Sequence, residues 1–271
     1  MPLTTAPAAP ILPASSCSAP LVGVYRRLGE LSPLLRIRVG RAQGAVGGYV
    51  EGRRLAGERG GVEGLVIAEE RRIEEVYGAV PRRDVAATWA LHRYAFTACV
   101  AMSGPWYLER RVPRVPLERV VYGWRDRELV VEAEGISCLP GDPLEGRPGV
   151  RTVDGPEALR AELRNAVAAH LAPVLEAFRP YIRRRPHALW GMATDQLTGG
   201  IWHLGRALDD ARAAAEAADA LLPGSTPPFT GAAGFRLSPD LDGEPTRTRT
   251  NCCLYYTIRP KELCATCPRK C

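Results

Sequence analysis

The chain has 271 residues, a length that suits one large domain or two small ones. Apolar residues make up 46% and charged residues 24%, ordinary globular proportions that exclude wholesale disorder. The net charge of +6 comes from cations that, apart from Lys261 and Lys270, are all arginines. They are spread along the chain without the basic stripe of a nucleic-acid binder, so nucleic acid is not an expected partner.

In chain order, residues 1–20 are rich in Ala, Pro, Ser and Thr and read as a disordered leader. They lack the charged start and unbroken apolar core of a signal peptide. Val22–Leu31 suits a short helix stopped at Ser32-Pro33. Leu35, Ile37 and Val39 alternate with Arg36 and Arg38, the pattern of a half-buried strand. Nine glycines between Gly40 and Gly64 lack the spacing of any phosphate-binding motif, so this stretch reads as a flexible loop. Asp84 is placed to cap a helix running to Met102, with Val85, Trp89, His92, Phe96 and Cys99 on one apolar stripe. His92 reads as a hydrogen-bonded core histidine, and Ser103-Gly104-Pro105 as the helix end. Val120–Trp124 and Leu129–Glu132 make a hairpin, and the Pro- and Gly-rich segment 139–151 a loop or a subdomain boundary.

Beyond residue 151 the pattern turns helical. Asp154 and Glu157 have capping-box spacing, followed by a stripe of Leu159, Leu163, Val167, Leu171 and Phe178. Pro173 predicts a kink there. A second long helix is predicted over 188–222, with Trp190, Ala193, Leu197, Ile201, Leu204 and Leu208 in register. His170 falls on an apolar stripe and reads as structural. His203 lies off its stripe and is the weak candidate to face a pocket. Arg183-Arg184-Arg185 reads as a solvated helix end, and residues 223–245 as a linker. No run of eighteen apolar residues occurs.

The eight cysteines are unevenly placed. Cys17, Cys99 and Cys138 are scattered, whereas Cys252, Cys253, Cys264, Cys267 and Cys271 crowd the last twenty residues. Without a secretory signal, clustered thiols point to a metal centre and a cytoplasmic location rather than to disulfides. The tail pattern CC-x10-CxxC lets four thiols converge, because a ten-residue excursion readily returns to its start. The CxxC half suits a single ion or a cluster edge. The vicinal pair suits one tetrahedral ion poorly, since neighbouring side chains of an extended chain point apart. A two-iron rhomb relaxes that constraint. A zinc-stabilised binding module, with no redox activity, stays open as the alternative. A thioredoxin-like dithiol fits less well, so close to the chain end.

The segment Asn251-Cys252-Cys253-Leu254-Tyr255-Tyr256 through Cys264-x-x-Cys267-Pro268 resembles the FhuF-like ferric-siderophore reductases. Phrases such as Gly104-Pro105-Trp106-Tyr107-Leu108 and Ala188-Leu189-Trp190-Gly191 extend the likeness upstream less specifically. The resemblance implies a [2Fe-2S] cluster held by Cys252, Cys253, Cys264 and Cys267, with Cys271 outside the matching pattern. It further implies one-electron reduction of a ferric siderophore, of hydroxamate type, releasing Fe(II) in the cytoplasm.

No flavin or nicotinamide fingerprint is present, so an external donor such as a ferredoxin or its reductase is expected. With no transmembrane segment, contact with a siderophore importer would be peripheral. Arg247, Arg249, Arg259, Lys261, Arg269 and Lys270 outnumber Glu244 and Glu262 around the cysteines, a balance that favours an added electron. Arg247 and Arg249, near Cys252 in sequence, are the candidate substrate contacts. No general acid, base or nucleophile is expected beyond the cluster.

The expected architecture is α+β: a small antiparallel sheet and a helix in the N-terminal half, a mainly helical C-terminal half, and a short cysteine-rich tail. The expected division is a leader over 1–20, a reductase body over 21–240 and a cluster-binding segment over 241–271.

Overall fold

The computed structural model describes residues 11–12, 16–42, 48–57, 60–224, 226–237, 245–264 and 266–270. The α+β class holds. The first elements are strand β1 (Ile11–Leu12), helix α1 (Leu21–Leu31) and strands β2 (Ile37–Val39), β3 (Arg41–Ala42) and β4 (Tyr49–Glu51). Helices α2 (Gly52–Ala56), α3 (Gly61–Tyr77) and α4 (Arg83–Glu109) follow. Then come strands β5 (Val112–Arg114), β6 (Val120–Gly123), β7 (Glu128–Val131), β8 (Gly135–Cys138) and β9 (Val150–Thr152). The C-terminal half holds α5 (Gly155–Phe178), α6 (Pro186–Ala207) and α7 (Ala211–Leu221), then the ribbon strands β10 (Phe235–Leu237) and β11 (Pro245–Arg247).

The expected hairpin is β6–β7, paired antiparallel from Val120↔Val131 to Gly123↔Glu128. It forms the middle of a four-stranded sheet ordered β2-β7-β6-β4. Strand β2 joins in parallel through Ile37↔Leu129, so the sheet is mixed rather than purely antiparallel. A second, three-stranded sheet has the order β5-β8-β9.

Helix α4 forms the axis of the body. Its length, about 40 Å at 1.5 Å per residue, is buried on nearly every side, and α1, α3, α5 and α6 all pack on it. It does not stop at Gly104-Pro105. A proline inside a helix lacks an N–H and orphans the carbonyl four residues back, here that of Ala101. The Tyr25 hydroxyl of α1 takes that carbonyl at 2.8 Å, which lets the helix run on to Glu109.

The glycine-rich stretch differs from a loop over its described part. It holds β4, α2 and the start of α3, whose buried Val62, Leu65, Val66, Glu69 and Ile73 keep helical spacing. Residues 43–47 and 58–59 lie outside the described residues. The predicted helix over 188–222 is two helices, parted at Leu208–Asp210. Asp209 is left-handed (φ 59°), and the Asp210 carboxylate caps α7 by accepting the Ala213 N–H at 3.0 Å.

Helix α5 starts where expected and continues through Pro173, but its capping box is absent. Glu157 is drawn to Arg160 and Arg164 instead. Part of the expected linker is the β10–β11 ribbon. The described part of the leader is ordered: Ile11–Leu12 pairs with Arg41–Ala42, and buried Ser18 exchanges hydrogen bonds with the Ala133 backbone. The rest of the leader, residues 1–10 and 13–15, lies outside the described residues.

Candidate iron–sulfur site

The tail leaves the body at β11, held in register by Phe235↔Arg247, and lies along one face of α6. That face is built by spacing. Gly191, Asp195 and Gly199 fall at i, i+4 and i+8, one above another on a helix. The glycines make room: a Cβ at Gly191 would sit 2.2 Å from Asn251 Nδ2, and one at Gly199 only 2.0 Å from Arg247 Nη1.

Asp195, buried between them, accepts the backbone N–H groups of Thr250 at 2.7 Å and Asn251 at 2.9 Å. Its carboxylate also faces the buried guanidinium of Arg247 at 3.4 Å. Desolvation raises the Asp195 pKa, while Arg247, Arg249 and the two backbone donors pull against it. Burial lowers the pKa of Arg247 to about 10, opposed by Asp195.

Two more clamps hold the vicinal cysteines. Arg184 Nη2 donates to the Cys252 carbonyl at 2.6 Å, and Trp89 Nε1 to that of Cys253 at 2.8 Å. Arg184 is therefore a tail anchor rather than part of a solvated helix end. Leu254 is left-handed (φ 63°) and turns the chain into a single 3-10 turn, Tyr255–Thr257. The Tyr255 ring stacks on Trp89 with centroids 6.1 Å apart and meets Tyr77 edge-on. Arg259 covers Tyr77, and Arg269 lies over Tyr256 at 4.6 Å.

The returning segment brings the Sγ atoms of Cys253 and Cys264 to 3.5 Å. Cys267 is buried, and Cys252 and Cys264 are half-buried. Backbone N–H groups reach two sulfurs, Leu254 N to Cys252 and Arg269 N to Cys267, both at 3.4 Å. The Cys253 thiol is pulled down to about 6 by its hydrogen bond with Cys264, and Arg249 adds to that fall against desolvation. Its partner Cys264 is pushed up by the same shared proton and by burial. Cys252, Cys253, Cys264 and Cys267 are free of disulfides. Cys253 and Cys264 are the two tail thiols in contact, and among the described residues no three His, Cys, Asp or Glu side chains gather as a metal site. Cys271 lies outside the described residues.

His92 belongs to this site rather than to the general core. It stands one turn after Trp89 on the same face of α4. Its Nδ1 meets Gln196 Nε2 of α6, and also Arg249 Nη2 at 3.1 Å. Burial, with Arg249, Arg184 and Arg247 nearby, holds its pKa well below 6.5.

The other histidines behave differently. His170 is structural, as expected, bonded to Tyr94 Oη at 2.8 Å and to the Val115 carbonyl at 2.7 Å. His203 pairs with Ser32 at 2.9 Å and packs against Phe96. Its described contacts do not include the tail. Of the two arginines chosen from sequence, Arg249 sits beside the thiols, whereas Arg247 is 7% exposed and bound into the joint with α6. Sequence reasoning missed Trp89, Arg184, Asp195 and Gln196. The one carboxylate of α6, set between two glycines at helical spacing, was the available signal for Asp195.

The donor set suits a cluster of iron and sulfide. It offers four thiols, two with backbone N–H bonds of the kind that stabilise ligating sulfur, and a cation beside them. Four thiols in such a tail are the ligand type of an iron–sulfur site. Residues 249–269 match the family model described as the FhuF 2Fe-2S C-terminal domain, a span that contains Cys252, Cys253, Cys264 and Cys267. The C-terminal segment is thus an FhuF-type domain, and its cofactor is a [2Fe-2S] cluster. No curated protein matches the chain. No helix among the described residues is long and apolar enough to cross a membrane.

Proposed function

We propose that this protein is a ferric-siderophore reductase that converts a bound Fe(III)–siderophore to Fe(II) by one electron. The match of residues 249–269 to the FhuF 2Fe-2S C-terminal domain carries the reading. On it, Cys252, Cys253, Cys264 and Cys267 hold the cluster. When bound, the cluster supplies single electrons, and its chemistry is the cofactor's own.

The protein's part is to hold and shield the site. Asp195, Arg184 and Trp89 fix the backbone of residues 250–253 against the body. The aromatic group of Tyr77, Trp89 and Tyr255 fixes the outgoing loop. Half-buried Cys252 and Cys264 leave the thiols near the surface, where a substrate can approach without bonding to the protein. Arg249 is the cation placed to face an anionic substrate or the added electron.

The substrate follows from metal chemistry. Hard hydroxamate oxygens grip Fe(III) strongly and Fe(II) weakly, so reduction frees the metal. The donor is external, a ferredoxin or its reductase, and the exposed cations Arg259, Lys261 and Arg269 favour an acidic partner. Release falls in the cytoplasm, with peripheral contact to a siderophore importer.

The test mixes anaerobically reduced protein with a ferric hydroxamate in the presence of a ferrous chelator. Reoxidation of the protein matched by one Fe(II) per electron supports the reading. Reduced protein that stays reduced while the siderophore keeps its Fe(III) overturns it.

A further inference from the structure

Three polar nitrogens near the tail are sealed from solvent and have no partner among the described residues: His92 Nε2, Arg247 Nε and Arg249 Nε. Stranded buried donors are costly, and three in one neighbourhood call for an explanation.

The tautomer of His92 is fixed by what surrounds it. Arg249 has donors and no acceptor, so its contact with Nδ1 at 3.1 Å makes Nδ1 the acceptor. The proton of a neutral ring then resides on Nε2, the unpartnered atom. His92 stands within the shell that holds the vicinal cysteines. Trp89, three residues earlier, binds the Cys253 carbonyl. Arg184 binds the Cys252 carbonyl. Arg249, three residues before Cys252, donates to His92 Nδ1. The local charge is unbalanced as well. Arg249 touches His92, Arg184 binds the Cys252 carbonyl and Arg247 faces Asp195, so Asp195 is the carboxylate paired to one of the three. That excess of about two positive charges matches the formal charge of about −2 on an oxidised, all-thiolate [2Fe-2S] group.

We propose that His92 and Arg249, with Arg184 and Arg247 supplying charge, form a buried anion-receiving nest for the sulfur face of the cluster. Gln196 orients the His92 ring. The inference rests on the reading that the four tail cysteines hold that cluster. In it, a body helix more than 150 residues upstream of the ligands supplies positioning residues that set how readily the centre accepts an electron. Removing a donor or a cation destabilises the reduced form more than the oxidised one, so the reduction potential falls.

The test uses the full chain loaded with cluster, in wild type and in Arg249→Met, Arg249→Lys, His92→Phe and, as control, His203→Phe. Iron and sulfide are counted first, and midpoint potentials are then measured by dye-mediated titration. Pulsed EPR of the reduced state reads exchangeable protons and histidine nitrogen near the centre. In Arg249→Met the reduced-to-oxidised ratio at fixed potential is expected to fall about tenfold, a shift of about 59 mV for one electron. Arg249→Lys recovers most of it. In His92→Phe the ratio falls about fivefold, the worth of one hydrogen bond, and one exchangeable proton coupling and a histidine nitrogen signal disappear. His203→Phe changes neither.

Loaded variants whose potentials and couplings equal wild type overturn the nest alone. Should His92→Phe not load, the Arg249 pair and the wild-type couplings decide the matter. Wild type that binds no iron overturns both the nest and the reading beneath it.

Discussion

Asp195→Ala removes a carboxylate that joins body to tail at three points, the N–H groups of Thr250 and Asn251 and the guanidinium of Arg247. Each hydrogen bond to a charged group is worth roughly 1.5–3 kcal/mol. Stranding one partner of a buried ion pair costs about 3–5 kcal/mol. These overlap, since one carboxylate makes them all, so the expected loss is about 3–5 kcal/mol rather than the total. Such a loss is a large part of a typical folding free energy of about 5–15 kcal/mol, yet it falls on one joint.

The tail should therefore open locally before the body unfolds. Hydrogen exchange of peptides covering 246–254 reads this directly. A penalty of about 3 kcal/mol accelerates exchange by about two decades where local opening controls it. Helix α5, which makes no contact with Asp195 among the described hydrogen bonds, serves as the internal reference. Faster exchange in α5 and α6 with an unchanged tail would refute the clamp and recast Asp195 as a brace of the helix bundle.

Other substitutions and conditions probe the fold and the seat separately. Tyr25→Phe orphans the Ala101 carbonyl that Pro105 leaves free, and should cost about 1–3 kcal/mol in chemical denaturation. An unchanged midpoint would mean that water or a neighbour serves that carbonyl. Gly191→Ala places a Cβ against Asn251 and should lower cluster occupancy while circular dichroism of the body is preserved; full iron content would show that the tail seat yields freely.

Acid should destabilise the protein below about pH 6.5. His92 and His170 are held neutral in the fold, chiefly by burial, with pKa values below the ordinary 6.5. The unfolded chain therefore binds more protons there, and stability falls as pH drops through 6.5, by up to about 1.4 kcal/mol per pH unit for each histidine. Denaturation midpoints from pH 7.5 to 5.5 check this, and a flat profile, or no reduction of the slope in His170→Gln, would contradict it.

Much of the body follows from local pattern. Leu35, Ile37 and Val39 alternate as a strand must, and the stripe from Leu159 to Phe178 is buried at every position named. Where reading failed, a long-range partner or a masking composition was responsible. Pro105 reads as a stop because the hydroxyl that excuses it belongs to Tyr25 in another helix. The glycines of 40–64 mask the helical spacing of Val62, Leu65, Val66 and Ile73. The break at Asp209-Asp210 carried an ordinary capping signal, submerged in the long alanine-rich run.

The cysteines of the site were readable because their spacing is local to one short segment. Their seat was not, since Trp89, His92, Arg184 and Asp195 meet the tail from three separate places in the chain. From sequence, the stripe containing Trp89 and His92 reads as an apolar face with a core histidine. Its half-buried members instead face the tail and α6, while the more deeply buried sides of α4 make the core.

The central claim is that the tail thiols hold a two-iron centre that works one electron at a time. Absorption and EPR spectra of anaerobically purified protein, taken with iron and sulfide assays before and after dithionite, address it in one preparation. The expected result is coloured protein with iron and sulfide in equal amounts, silent by EPR as isolated and paramagnetic after one electron. Colourless protein carrying zinc, indifferent to dithionite, would contradict it.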